Sequence, residues 1–311
     1  MVFTRKLWYN MVDYAPEGQL VRQVLGPLMR LDVRNNWSLI RLGPAWAALC
    51  GAVASGRLAL SGQSLLFLLM VLFLADPLWG TLWHLIAERD WFAYSADLQV
   101  EKEDLAALPY TTPGSLSYRA FSWLNRKWAW WRVVFWPQLG HALLTLALAL
   151  FLTLILSVIL GQRVILITIA ALAVTVLALL RAHRHGASSS SLQAILEMGF
   201  AWLAGHVAFA PLTLWSFVLA GFYTIAYHSC LKLAQNSAGR WLLLLKASQA
   251  TVIAILVFLR EPVIAGVVAL MLLPQMLLQP FLNQGAVELW YLRRTYPFLM
   301  AGTLLAALAV R

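Results

Sequence analysis

The sequence predicts an all-α polytopic membrane protein of about nine transmembrane helices in one bundle, and three observations predict it. Hydrophobic residues make up 61% of the 311 positions and charged residues only 12%, with a mean hydropathy of +0.75. A soluble domain averages about 25% charged residues, so this chain lacks the polar surface to face water all round. Its 15 Trp and 9 Tyr are types that favour the membrane–water interface. Apolar runs of about twenty residues, the length that crosses a hydrocarbon core, recur from residue 38 onward.

Residues 1–37 read as an amphipathic arm. Arg22, Arg30 and Arg34 alternate with Leu20, Val21, Val24, Leu25, Leu28 and Met29 at near-helical spacing, which predicts a helix lying along the inner membrane surface. No compact apolar core followed by a small-residue cleavage site is present, so the arm does not read as a cleaved signal peptide. The transmembrane domain takes the rest, 38–311. Its predicted spans are 38–58, 63–87, 135–160, 163–181, 191–208, 211–232, 240–260, 262–281 and 295–310. Gly161-Gln162-Arg163, Pro211 and Glu261-Pro262 punctuate it, because proline cannot continue the helical ladder and restrains the residue before it.

The charges orient this arrangement. With the N-terminus cytoplasmic, the arm and the loops after even-numbered spans hold seventeen Lys and Arg, and the outer segments hold four: Arg57, Arg163, Arg260 and Arg311. That is a positive-inside pattern, with the C-terminus outside and the chain in the cell inner (plasma) membrane. The net charge of +10 then reflects orientation and contact with an anionic inner leaflet, and nucleic acid is not an expected partner. Two cysteines, Cys50 and Cys230, both in apolar runs, exclude a disulfide framework and any CxxC metal site. No Walker A, HExxH, GxSxG or dinucleotide fingerprint occurs.

The polar residues collect on the cytoplasmic side, chiefly in the loop at 88–134. There Asp97, Glu101 and Asp104 fall at helical spacings of four and three and form a candidate Mg2+ site, with a substrate phosphate completing the shell. The basic aromatic stretch from Trp123 to Arg132 reads as a headgroup anchor. Intramembrane ionisable groups are functional candidates, which draws in His84, His141, His206 and His228; His141 and His206 are candidate ligands for a chlorin magnesium or a heme iron. Glu197 is expected to meet Arg181 or Arg184. Lys246 and Gln249 are expected to face into their helix, with Lys246 snorkelling to the inner surface, and Gln275 and Gln279 to line a polar interior.

One family fits this layout. The stretch Leu108-Pro109-Tyr-Thr-Thr-Pro113-Gly114-Ser-Leu-Ser117-Tyr-Arg-Ala120 is similar to the RPL-x-x-G-x-[IL]-S-x-x-x-A segment of the UbiA-type intramembrane prenyltransferases, which include quinone, heme and chlorophyll prenyl-transferring enzymes. Asn36 to Pro44, followed by a small-residue helix, resembles the family's opening. The resemblance implies nine helices, a cytoplasmic N-terminus and active-site loops after the second and sixth spans. It also implies two Mg2+ ions held by two Asp-rich signatures. The first signature, NDxxDxxxD, corresponds here to Ala75-Asp76-Pro77-Leu-Trp79-Gly80-Thr-Leu-Trp83, which keeps Asp76 as a metal candidate. The second corresponds to the stretch from Tyr227 to Arg240, which has no carboxylate; Glu197 and Glu261 are the nearest on either side. Lys232 and Arg240, with Arg126 and Lys127, are therefore the candidate phosphate-binding residues.

The expected function is prenyl transfer from an isoprenoid diphosphate to a membrane-embedded acceptor, without the standard two-Mg2+ arrangement. Two alternatives share the layout. One is a catalytically silent UbiA-like subunit binding quinone, carotenoid or (bacterio)chlorophyll in a larger membrane complex; the other is a small-molecule transporter.

Overall fold

The computed structural model describes residues 43–59, 61–88, 115–131, 136–185, 189–235, 239–283 and 288–311. Among them the chain is all helix. The expected arm at 1–37 and the acidic cluster at Asp97, Glu101 and Asp104 lie outside the described residues.

Helix α1 is Gly43–Ala54. Helix α2 runs through Gly62–Phe73, a π-helical turn at Leu74–Leu78, Trp79–Trp83 and a second π turn at His84–Glu88. The first π turn contains Pro77, which has no N–H to give the helical ladder. Helix α3, Leu116–Trp130, is amphipathic and starts at Ser115, whose side chain accepts from the Tyr118 N–H. Leu116, Trp123 and Trp128 are exposed on it beside Arg119 and Lys127. Then follow α4, Trp136–Leu160, and α5, Gln162–His185. Helix α6 joins Ser190–Ala194, a π turn at Ile195–Phe200, and Ala201–Val207. Last come α7 (Leu214–Gln235), α8 (Gly239–Phe258), α9 (Pro262–Asn283) and α10 (Glu288–Ala309).

Nine of these helices, all but α3, fall where the apolar runs place spans. Six of the described helices are long and apolar enough to cross a membrane: α2, α4, α5, α7, α8 and α9. Many of their Leu, Ile, Val and Phe side chains face outward, as in a protein whose solvent is lipid. The protein is a multi-pass membrane protein. Helix α10 begins seven residues before the predicted 295, taking in Arg293 and Arg294, because a helix ends where its hydrogen bonds end and not where its hydropathy falls. Helix α5 likewise continues through Arg181 and Arg184 to His185.

Gly56, at the end of α1, lies against Arg311 at the end of α10, so those two helix ends share one face of the bundle. With the charge pattern, this leads us to expect a compartment-sensitive reporter fused to the N-terminus to read cytoplasmic and one fused to the C-terminus to read external. Both ends reporting one side would mean an even number of spans.

The α8–α9 turn carries a left-handed residue that is not glycine, Arg260 (φ 64°). The Glu261 N–H bonds the Leu256 carbonyl and the Arg260 N–H bonds that of Val257, each at 3.0 Å. This is a Schellman closure with arginine where glycine is favoured. Arg260→Gly should raise stability by about 1 kcal/mol, read as a higher midpoint of thermal unfolding in detergent.

The polar residues of α8 and α9 satisfy one another instead of lining an open interior. Gln249 and Gln275 form a reciprocal amide pair, both bonds 3.0 Å, and Tyr291 donates to the Gln275 carbonyl. Lys246 donates to Gln279; it is held across the helix pair, where the sequence suggests an inward-snorkelling chain. Such pairs join helices where hydrocarbon offers polar groups no other partner.

Candidate functional site

Small residues decide where the site forms. Ala47, Ala48, Gly51 and Ala52 on α1 and Ala201, Ala204 and Gly205 on α6 are all buried, and the two helices pack together. A Cβ added at Gly51 would stand 1.9 Å from the Trp202 carbonyl oxygen, and one at Gly205 would stand 2.0 Å from that of Ala48. Glycine at both positions lets the two backbones touch.

That contact seals His206. Its Nε2 is 3.0 Å from the Pro211 carbonyl, which can only accept, so Nε2 carries the proton. Nδ1 then accepts from Ser216 Oγ at 3.0 Å, and the same Oγ accepts from Trp202 Nε1 at 3.0 Å. Trp202 also stacks on Tyr223, ring centroids 5.9 Å apart. Both ring nitrogens of His206 are thus engaged, and ligation of a chlorin or heme metal would require one of these bonds to break. His141 is exposed on α4.

Beside this core lies a small cavity of about 20 Å³ between α1, α6, α7 and α10, lined by Gly43, Trp46, Met198, Tyr223, Tyr227, Tyr296, Leu299, Met300 and Thr303. Its lining is aromatic with two adaptable methionines, and a large apolar guest enters only if these side chains move apart. The polar tips are fixed at the wall: Trp46 donates to the Met300 carbonyl and Thr303 Oγ1, and Tyr223 to the Gly302 carbonyl. Tyr227 donates to Glu197 at 2.6 Å, and Gln193 to the other carboxylate oxygen at 3.0 Å. Glu197 sits on the π turn of α6, a distortion frequent at functional sites. The sequence-level expectation sends Glu197 to Arg181 or Arg184, both of which are exposed; its described bonds are to Tyr227 and Gln193. The cavity's tyrosines come from two distant helices, and no local spacing marks them. The available signal was Glu197 itself, a carboxylate inside an apolar run.

Over 190 residues the chain is 30% identical to the bacteriochlorophyll synthase 34 kDa chain of Chloroflexus aurantiacus. The match takes in 60% of this chain and spans about half, 51%, of that relative's length. No family model and no solved structure matches. The match supports the UbiA-like relationship suggested by the helical layout and the 108–120 segment.

Against the two-Mg2+ site implied by that resemblance, the described residues do not fit. Asp76 is half-buried on the first π turn. The next two signature positions are Trp79 and Trp83, both buried, and neither indole N–H has an acceptor. An indole nitrogen donates and cannot ligate a cation, whereas Mg2+ takes oxygen ligands. Among the described residues no three His, Cys, Asp or Glu side chains gather to hold a metal. Lys232 and Arg240 occupy the facing ends of α7 and α8, and Arg126 and Lys127 belong to α3, where Lys127 is exposed.

Proposed function

We propose that this chain is a divergent UbiA-type protein of the inner membrane that handles a chlorin or isoprenoid against the aromatic lining shared by α1, α6, α7 and α10, with prenyl transfer as its reaction class. The observation that carries the reading is the 30% identity to a bacteriochlorophyll synthase chain. The aromatic lining of the cavity supports it, with a carboxylate, Glu197, bonded to one of its tyrosines. In prenyl transfer the allylic carbon–oxygen bond breaks, diphosphate leaves, and the acceptor atom that bonds the prenyl carbon gives up a proton. Glu197, through Tyr227, would take that proton, a role supported by their 2.6 Å hydrogen bond. Helix α3 would rest in the headgroup layer, its Trp and Leu face in the acyl boundary and Arg119 and Lys127 on anionic lipid.

A second reading, the catalytically silent binding subunit, is favoured by one observation: tryptophans stand at two first-signature positions. Purified protein assayed with allylic diphosphates and a panel of chlorin and aromatic acceptors separates the two. Product formation supports the transferase. A co-purifying pigment or quinone without turnover supports the subunit, and neither result overturns the aromatic lining as a lipophile site.

A further inference from the structure

The two halves of α6 are held in different ways. The second half, Ala201–Val207, is fixed by backbone contact: Cβ atoms added at Gly51 and Gly205 would stand 1.9 and 2.0 Å from carbonyl oxygens across the α1–α6 crossing. The first half, Ser190–Ala194, is fastened by side chains of α7. Tyr227 donates to Glu197 at 2.6 Å, and the neighbouring His228 ring hydrogen-bonds to the Ser190 main chain. Ser189 stands at the N-terminus without a capping side-chain bond, and Ser190 Oγ is buried with no hydrogen-bond partner. Buried polar groups are nearly always paired, so the present register leaves the first turn incompletely satisfied.

Between the halves lies the π turn Ile195–Phe200, which carries Glu197. An i→i+5 turn holds one residue more than the α-helical ladder takes up. Moving that extra residue along a helix turns the segment it passes by one position, about 100° and 1.5 Å. Because the second half is clamped against α1, the part that turns is the first half. Gly199, inside the π turn, sits close to α7: an added Cβ would stand 3.0 Å from Thr224 Oγ1. Gln193 and Glu197, bonded at 3.0 Å, are four residues apart and turn as a pair, so their bond is kept. The bond from Tyr227 is not kept.

We propose that the π turn of α6 is a register switch, latched by Tyr227 and His228, that seats Glu197 on Tyr227 in one register and withdraws it in the other. The latched register is the one described, with the carboxylate bonded to a tyrosine of the cavity lining. The released register carries the Gln193–Glu197 pair off Tyr227 and leaves the α1–α6 contact intact. Its consequence for chemistry rests on the reading of Glu197 as proton acceptor, whereas the motion itself is read without substrate.

Full-length protein in nanodiscs is spin-labelled at exposed Ser191 and, in separate samples, at exposed Leu180 of α5 or Leu243 of α8, so that a turn in any direction changes one of the two distances. Cys50 and Cys230 are buried, so the introduced cysteines take the label. The otherwise unmodified chain should give one distance per pair. Tyr227→Phe with His228→Phe keeps both rings, including the edge-on contact of residue 228 with Trp241 at 5.3 Å, and deletes the two bonds. It should add a second population displaced by several ångströms in at least one pair, since a point on a helix about 10 Å wide moves about 8 Å when the helix turns by one residue. Deleting Phe200 in that background removes the extra residue, keeps Gly199, and should restore the single distance; should the deletion not fold, the double variant decides alone. A label pair at Arg57 and Leu212, beside the clamped half, should stay fixed throughout. One unshifted distance in the double variant, a shift that survives deletion of Phe200, or movement of the Arg57–Leu212 pair overturns the switch. Turnover is read separately: a working switch with turnover untouched by Glu197→Gln refutes the proton-acceptor reading alone, and fixed distances with turnover lost in Glu197→Gln refute the switch alone.

Discussion

Gly205→Val should leave little folded protein, and Gly51→Val should do the same. At these positions a Cβ would stand 2.0 and 1.9 Å from a backbone carbonyl oxygen of the partner helix, so no rotamer change relieves the clash. The helices must separate, and separation unpacks Trp202 and breaks the Trp202–Ser216–His206 chain. Overpacking a well-packed core costs about 1–3 kcal/mol, and a clash of two backbones belongs at or above the top of that range. The expected readout is loss of the monodisperse peak in detergent and a large fall in the thermal midpoint. Gly221 is the control. It is exposed on α7 with nothing within 4 Å of an added Cβ, so Gly221→Ala should be neutral or stabilise by about 0.5–1 kcal/mol through helix propensity. Equal behaviour of Gly205→Val and Gly221→Ala would show that the α1–α6 contact is not as close as described.

Tyr227→Phe and Glu197→Gln should each cut turnover in the transferase assay by about 10²-fold, the lower end of what a positioned proton acceptor contributes. Tyr227→Phe keeps the ring that lines the cavity and removes only the hydroxyl bonded to Glu197 at 2.6 Å, so apparent substrate affinity should hold while kcat falls. Met300→Leu, a volume-conserving change elsewhere in the lining, should leave kcat nearly intact. If kcat is unchanged in both variants, the Glu197–Tyr227 pair has no part in the chemistry. Mg2+ dependence is read in the same assay. Any requirement for the ion should be traced to Asp97, Glu101 and Asp104, so Asp97→Ala and Glu101→Ala should abolish Mg2+-dependent turnover. Robust Mg2+-dependent turnover surviving both changes would place the metal elsewhere.

The silent-subunit reading makes the opposite forecast for these variants, since a binding protein has no kcat to lose. There the same substitutions should alter the amount or the absorption spectrum of a co-purified chromophore, because Tyr227, Tyr223 and Tyr296 share one wall with Trp46 and Met300. The two sets of readouts come from one preparation of each variant.

What the sequence determined by itself was local and one-dimensional. The positions of the described helices followed from apolar run length, and the breaks at Gly161 and Pro262 from residues that end a helix by their own geometry. The π turns and the true start of α10 were not legible, because hydropathy reports the environment of a segment and not its hydrogen-bond register. Pairing across helices was legible least of all. Gln249 faces Gln275, Tyr227 faces Glu197, and Ser190, His228 and Trp241 gather from three helices. Each depends on which helices are neighbours, at what depth and at what rotation, and helices in lipid select neighbours by close packing and polar pairing. Hydrophobicity is nearly uniform around such helices, so it carries no record of the choice. The glycines at 51 and 205 were visible as letters, but only the crossing of α1 over α6 made them necessary.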